Sequence, residues 1–480
     1  MILLDHGSHC PERRQSVWPV VLHRVLQRVQ QKTLRKRPAL LLLLFLALFQ
    51  SLFPMSTALA VEPEPYPEIL TLEYALAQAS GTHPQLQIAA SKIDRSRALS
   101  DEVDAQIGLQ SQLSARLRWI DPPAIAPDQS RDDHWVSLSI DKSLYDFGRH
   151  SAQVAASKAA ILSAEQEYRA AENQQRITIL TAYFDVLLAD QAYARDNEDM
   201  SMGYVHMDRV RQRNELGQLS DIELTAARSE YQASRVRRYR SSVAQRTTRS
   251  RLANVLDRPG QLPGELQAPK LDILKRPIPE DINDWVEEAE QNNVRLSAYR
   301  LRVEQVNAQL NAARASDNPR LTGSAEVSQY SRELGSSDHW RAGVLLEVPL
   351  STGGRSDAER ARYRAEMTQA RAELEQHRRD VSQAILEVWG ELQSLKVAQQ
   401  SAQAETEFRD LYLDRSRALY ELEVTSDLGD AMVKTTAVRY QTMKTNFMMA
   451  LAWARLDALL GRKVFAEQPD TSAVQMEKDS

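Results

Sequence analysis

A chain of 480 residues with 6% aromatic residues, eight Phe and 26% charged residues lacks the bulky apolar stock of one large round core, and its Ala, Gln, Arg and Glu point to long helices. The single Cys, Cys10, excludes a disulfide framework and a thiolate metal site. Without residues 1–60 the formal charge moves from −5 to −11, with 52 basic against 63 acidic residues, which argues against a nucleic-acid partner.

Residues 1–60 read as a leader and signal peptide. Lys32, Arg35, Lys36 and Arg37 precede the apolar run "ALLLLLFLALFQSLF", and Ala58-Leu59-Ala60 supplies the small-x-small pattern for cleavage after Ala60. A membrane anchor is the alternative, but the apolar run is short for a span of about 20 residues. No Cys follows it, so a lipoprotein signal is absent. The first 30 or so residues are long for a leader and leave the translation start open. The rest has no apolar run fit for a membrane helix, so any passage through a membrane must be made by strands.

A first repeat is expected over residues 61–257. Residues 70–106 read as helix, broken at Gly81–Pro84. Residues 107–120 alternate, with Ile107, Leu109, Leu113, Ala115, Leu117 and Trp119 opposite Gln110, Gln112, Ser114, Arg116 and Arg118. After a loop with three Pro, Val136, Leu138 and Ile140 alternate with Ser137, Ser139 and Asp141, which makes a hairpin. Residues 150–213 hold one Gly and no Pro, and Ala152, Ala155, Ala156, Ala159 and Ala160 lie on one helix face. Gly217 breaks that helix, and a second runs to about Leu256. Residues 258–280, rich in Pro, read as a linker. A second repeat, 281–462, has the same plan: strands at 320–330 and through Ala342, Val344, Leu346 and Val348, then helix over 356–421, a turn near "ELEVTSDLGD" and helix to Leu460. Residues 463–480 read as a flexible tail.

The repeat is internal duplication. His134-Trp135 and His339-Trp340 lie 205 residues apart; Leu144, Gly148 and Arg149 lie 206 from Leu350, Gly354 and Arg355. "SLYDFGR" and "VPLSTGGR" therefore mark one kind of junction. Pro349 has no N–H for strand pairing, and Gly148, Gly353 and Gly354 permit backbone angles that other residues resist. A phosphate-binding loop does not fit: Gly-Lys-Ser/Thr is missing and the junction occurs twice.

Four strands with one apolar and one polar face cannot close a barrel alone, and open edges do not survive in lipid. Closure therefore demands several copies. Trp119, Trp135, Tyr330 and Trp340 stand at the loop ends of their strands and are expected at one membrane interface. A water-soluble sheet packed on helices is the competing reading. The nine His have no metal-ligand spacing and Gly-x-Ser-x-Gly does not occur, so neither an enzyme nor a cofactor is expected.

The two junctions, together with "THPQLQIAA", "NELGQLSDIELTAARSEY" and "ARLDALLGR", resemble the TolC family of outer-membrane efflux and secretion channels over roughly 70–462. The resemblance implies a mainly α chain with a transmembrane β part. Long helical hairpins would form a periplasmic tunnel, and each protomer of a homotrimer would give four strands to a shared 12-stranded barrel in outer-membrane lipid. It also implies a passive exit duct for small molecules or secreted polypeptides, fed by a periplasmic adaptor (membrane fusion) protein and an inner-membrane ABC or proton-driven transporter. The missing lipid-attachment Cys favours type I secretion or general export over service to one drug pump. The family's tunnel narrows at the helix–helix turns. Glu223 falls on an acidic position of the first tip and Tyr420 on a tip Tyr. In the second tip Glu423 replaces the usual Gly and Gly429 the usual acid, with Asp427 and Asp430 beside it. An adaptor-like protein or a structural coiled coil remain the alternatives, although neither needs two strand pairs with aromatic rims.

Overall fold

In a computed structural model, the structure describes residues 66–78, 83–332, 337–422 and 427–465. The signal peptide, its cleavage point, Glu423 and the tail beyond 465 lie outside the described residues.

Chain order is β1 (Ile69–Leu70), α1 (Leu72–Ala77), α2 (Pro84–Ala105), β2 (Gln110–Arg116), β3 (Trp135–Tyr145), α3 (Arg149–Glu215), α4 (Asp221–Val255), β4 (Glu265–Leu266), α5 (Asn283–Asn292), α6 (Val294–Arg314), β5 (Arg320–Tyr330), β6 (Trp340–Glu347), α7 (Arg355–Glu421) and α8 (Leu428–Leu459). The molecule is mainly helical with one four-stranded sheet, as expected. Helices α3 and α7 each have 67 residues, about 100 Å at 1.5 Å per residue. Among the described residues no helix is long and apolar enough to cross a membrane.

The long helices are held by a core far from the sheet. Ile179, Leu180, Tyr183, Phe184 and Leu187 of α3 pack with Leu252 and Leu256 at the end of α4 and with Phe447, Ala450 and Ala454 of α8. Phe184 stacks on Phe447 at 4.3 Å between centroids. The Tyr183 hydroxyl donates toward the carbonyls of Leu70 (2.8 Å) and Gln267 (2.6 Å), which clips the parallel β1–β4 pair onto α3. Burial pushes its pKa well above the ordinary tyrosine value. A second cluster joins Ile385, Val388, Leu392 and Leu395 of α7 to Met449, Trp453 and Leu456 of α8 and Ala289 of α5.

The Pro-rich stretch 258–280 has no α-helix, but it is packed rather than free: it carries β4 and a 3₁₀ turn at Asp272–Lys275 and buries Leu266. Its Arg276 reaches the buried Asp457 of α8, with Nη1 at 2.9 and 3.0 Å from the two carboxylate oxygens. The segment expected to begin the loose tail also differs, because Val464 is wholly buried in the first core.

Candidate functional site

The sheet order is β2-β3-β5-β6, all antiparallel, so the two duplicated hairpins join through β3 and β5, and β2 and β6 are the edges. Register places Leu113, Leu138, Val327 and Trp340 in one row across all four strands, and Ser111, Ile140, Ala325 and Ala342 in a row two residues away on the same face. Leu113, Leu138, Val327 and Trp340 are all exposed. No described helix covers this face, which a water-soluble sheet would need. The other face carries Gln112, Ser139, Glu326 and Arg341 in one row, where Arg341 Nε donates to Glu326 at 2.9 Å. This is the apolar-out, polar-in pattern of a membrane barrel wall.

The four expected interfacial aromatics do not act alike. Trp340 pairs with Val327 and Trp119 shares the parity of Leu113, so both belong to the apolar face. Trp135 and Tyr330 pair with each other and with Arg116 on the polar face. The signal was in the sequence: Trp135 has the parity of Ser137 and Ser139. At the opposite end of the sheet the sequence reading missed a further aromatic pair. A bulge between Ser143 and Tyr145 turns Tyr145 onto the apolar face opposite Leu321, and Phe147 stacks edge-on against it at 4.7 Å.

Both strands then turn into long helices by the same device. Phe147 and Gly148 have φ of 52° and 98°; Gly353 and Gly354 have 61° and 84°. Two consecutive left-handed residues re-aim the chain in each half, and Phe147 takes a conformation that glycine holds in the second copy. Its carbonyl accepts from Asn318 Nδ2 at 2.9 Å. Neither αL glycine can cap its helix by a side chain. Asp146 does so instead, accepting from the His150 N–H at 2.6 Å. In the second half Thr352 accepts from the Ser356 N–H at 3.3 Å. These residues are also 206 apart, and aligning the two copies would have found them. Pro349 follows Glu347, the last paired residue of β6.

At the far ends of the helices, Glu223 closes a capping box with Ser220: it accepts from the Ser220 N–H at 2.8 Å and hydroxyl at 3.0 Å. These bonds hold its carboxyl below the ordinary range. The spacing Ser220-x-x-Glu223 announces that role. Asp427 accepts from the Tyr412 and Ser416 hydroxyls, which likewise hold its pKa below the usual carboxylate range. Asp430 pairs with Lys434 at 2.6 Å. Tyr420, Asp427 and Asp430 line a groove of about 860 Å³ against Met202, Glu230 and Arg237 of the first helical hairpin. Glu223 is not among its lining residues. At Gly429, the position expected to be acidic, a Cβ would lie 2.5 Å from Met202 Sδ, so the Met202 side chain would have to shift to admit one. Met202 precedes the end of α3 by about 20 Å of helix, so the second tip sits short of the first. Among the described residues no group of three or more His, Cys, Asp or Glu is placed to hold a metal ion.

Residues 285–462 match the family model for outer membrane efflux proteins. The chain is 23% identical over 308 residues to outer membrane protein TolC of Escherichia coli K12, covering 60% of this chain and 61% of that protein. It is 25% identical over 223 residues to protein CyaE of Bordetella pertussis, covering 45% and 47%. The matches thus span under two thirds of these curated relatives. The CmeC outer membrane channel of Campylobacter jejuni has the same fold, with a TM-score of 0.68 at 15% identity over 88% of this chain and 94% of that one. With its duplicated hairpins and two-faced sheet, the chain is similar to the outer membrane efflux protein family, whose model its residues 285–462 match.

Proposed function

We propose that the protein is the outer-membrane exit duct of a tripartite efflux or type I secretion system. The observation that carries this is the uncovered apolar row Leu113–Leu138–Val327–Trp340 on a sheet whose other face is polar and whose strands run straight into helices about 100 Å long. The apolar face suits lipid, the polar face a water-filled lumen, and the helices a tunnel through the periplasm. Two free sheet edges suit closure by further copies, and three copies would supply twelve strands. Cleavage after Ala60 would deliver the chain through the inner membrane. Residues 61–257 and 281–462 would be its two structural repeats. A periplasmic adaptor and an inner-membrane ABC or proton-driven transporter would load it with small molecules or polypeptides. The duplicated hairpins and paired strands favour this reading over an adaptor or a plain coiled coil.

The narrow end would lie at the helical tips. Asp427 and Asp430, repeated about a threefold axis, would attract cations and repel one another. Planar-bilayer recordings of purified protein test both parts. Step conductance is expected, with block by divalent cations that weakens in the Asp427→Ala, Asp430→Ala double variant. Absence of any conductance would refute the duct. Unchanged block in the double variant would move the constriction to Glu223 or Glu423.

A further inference from the structure

Most arginines on the polar face of the sheet have a carboxylate partner. Arg320 pairs with Glu347 at 3.0 Å and Arg341 with Glu326 across neighbouring strands, and Arg118, just beyond β2, pairs with Asp133. Arg116 is different. Among the described residues its guanidinium has no carboxylate at ion-pair distance; it lies over the Trp135 ring, 5.1 Å from the centroid. Register puts Arg116, Trp135 and Tyr330 in a single row across β2, β3 and β5. The next row on this face is Ser114, Ser137 and Ser328, three small side chains, of which Ser137 and Ser328 are buried. Trp135 and Tyr330 are only half-buried.

We propose that Arg116, Trp135 and Tyr330 form a binding site for small aromatic anions at the loop-bearing end of the channel wall. A guanidinium stacked on an indole keeps its N–H fork free, and that fork suits a carboxylate or sulfonate. A flat ring attached to the same anion can stack beside the indole and phenol rings. An aliphatic anion would gain only the charge contact, and an uncharged ring only the stacking. All three residues belong to one chain, with Arg116 on the edge strand β2. Its placement at the exit of a lumen rests on the duct reading above.

Titration calorimetry on the full-length, detergent-solubilised protein tests it, with naphthalene disulfonate as probe, ethane disulfonate as the aliphatic comparison and titration into protein-free micelles as the blank. The wild type is expected to bind the aromatic dianion more tightly than the aliphatic one. Arg116→Ala should weaken binding about tenfold or more, Trp135→Ala about threefold to tenfold, and Arg116→Lys should fall between wild type and Arg116→Ala. No wild-type binding, equal affinity for the two dianions, or wild-type affinity in Arg116→Ala overturns the proposal. Conductance of the same preparations reads the duct separately: conductance without binding counts against the site alone, and binding without conductance counts against the duct alone.

Discussion

Leu138 and Ser139 are neighbours in β3, yet they face different solvents. Leu138 stands in the row of Leu113, Val327 and Trp340, and Ser139 in the row of Gln112, Glu326 and Arg341. Leu138→Arg should therefore cost about 2–4 kcal/mol in lipid and deplete assembled protein in outer-membrane fractions, while Ser139→Arg is tolerated. Equal defects would mean that the assignment of the two faces is wrong. Away from the sheet, Arg276 and Asp457 make the contact with most at stake for one side chain. Asp457 is only 3% exposed, and burial raises its pKa despite the opposing Arg276 charge. Removing the guanidinium leaves a buried carboxylate with only the looser Arg462 contact at 3.9 Å, so Arg276→Ala should cost about 3 kcal/mol. The sign of the pH dependence follows from the raised value. Stability from this group is complete below the ordinary carboxylate pKa of about 4 and is lost as pH rises through the higher folded value. The deficit of Arg276→Ala in thermal unfolding should thus shrink on acidification toward pH 4; a constant deficit would assign the loss to packing on Trp453.

The helix ends behave in the opposite sense. Hydrogen bonds from Ser220 hold the Glu223 carboxyl below the ordinary range, and those from Tyr412 and Ser416 do the same for Asp427. Their contribution is present above the unfolded carboxylate pKa and is lost as pH falls through the depressed folded values. Hydrogen exchange at both tips should accelerate in acid. Asp427→Asn should flatten the response at the start of α8 and leave that at the start of α4 intact; a response surviving at both would place its origin elsewhere. Much of this was legible in the chain. Alternation located all four strands and their faces, because a period of two is written in every residue. The second strand of the first hairpin ran further than its alternation, to Tyr145, because a bulge at Leu144 shifts register, and bulges leave no periodic mark. The tips were read from positions relative to a turn glycine, which says nothing of stagger. Hence Glu223 was grouped with Asp427 and Asp430, although only the latter two share a groove. Stagger is decided by contacts such as Gly429 on Met202, and those join residues more than two hundred positions apart.

For the whole molecule, the edges of the sheet state what is missing. Among the described residues β2 and β6 each have one partner, and unpaired strand edges in hydrocarbon cost several kcal/mol per unsatisfied group. Unheated samples should therefore migrate on gels near three times the mature chain mass and collapse to one on boiling; a monomer under both conditions would remove the shared barrel. The equal 67-residue lengths of α3 and α7 carry a further consequence for how such a chain can change over time. Each residue turns a helix by about 100°, so one inserted residue would rotate everything beyond it by that angle and swing buried faces outward. Seven residues make nearly two full turns and leave an error of only about 20°. Length here is a matter of phase as much as distance. Lineages can lengthen or shorten these helices only in notches of about 10 Å, cut to match in the returning helices and in both copies of the duplication.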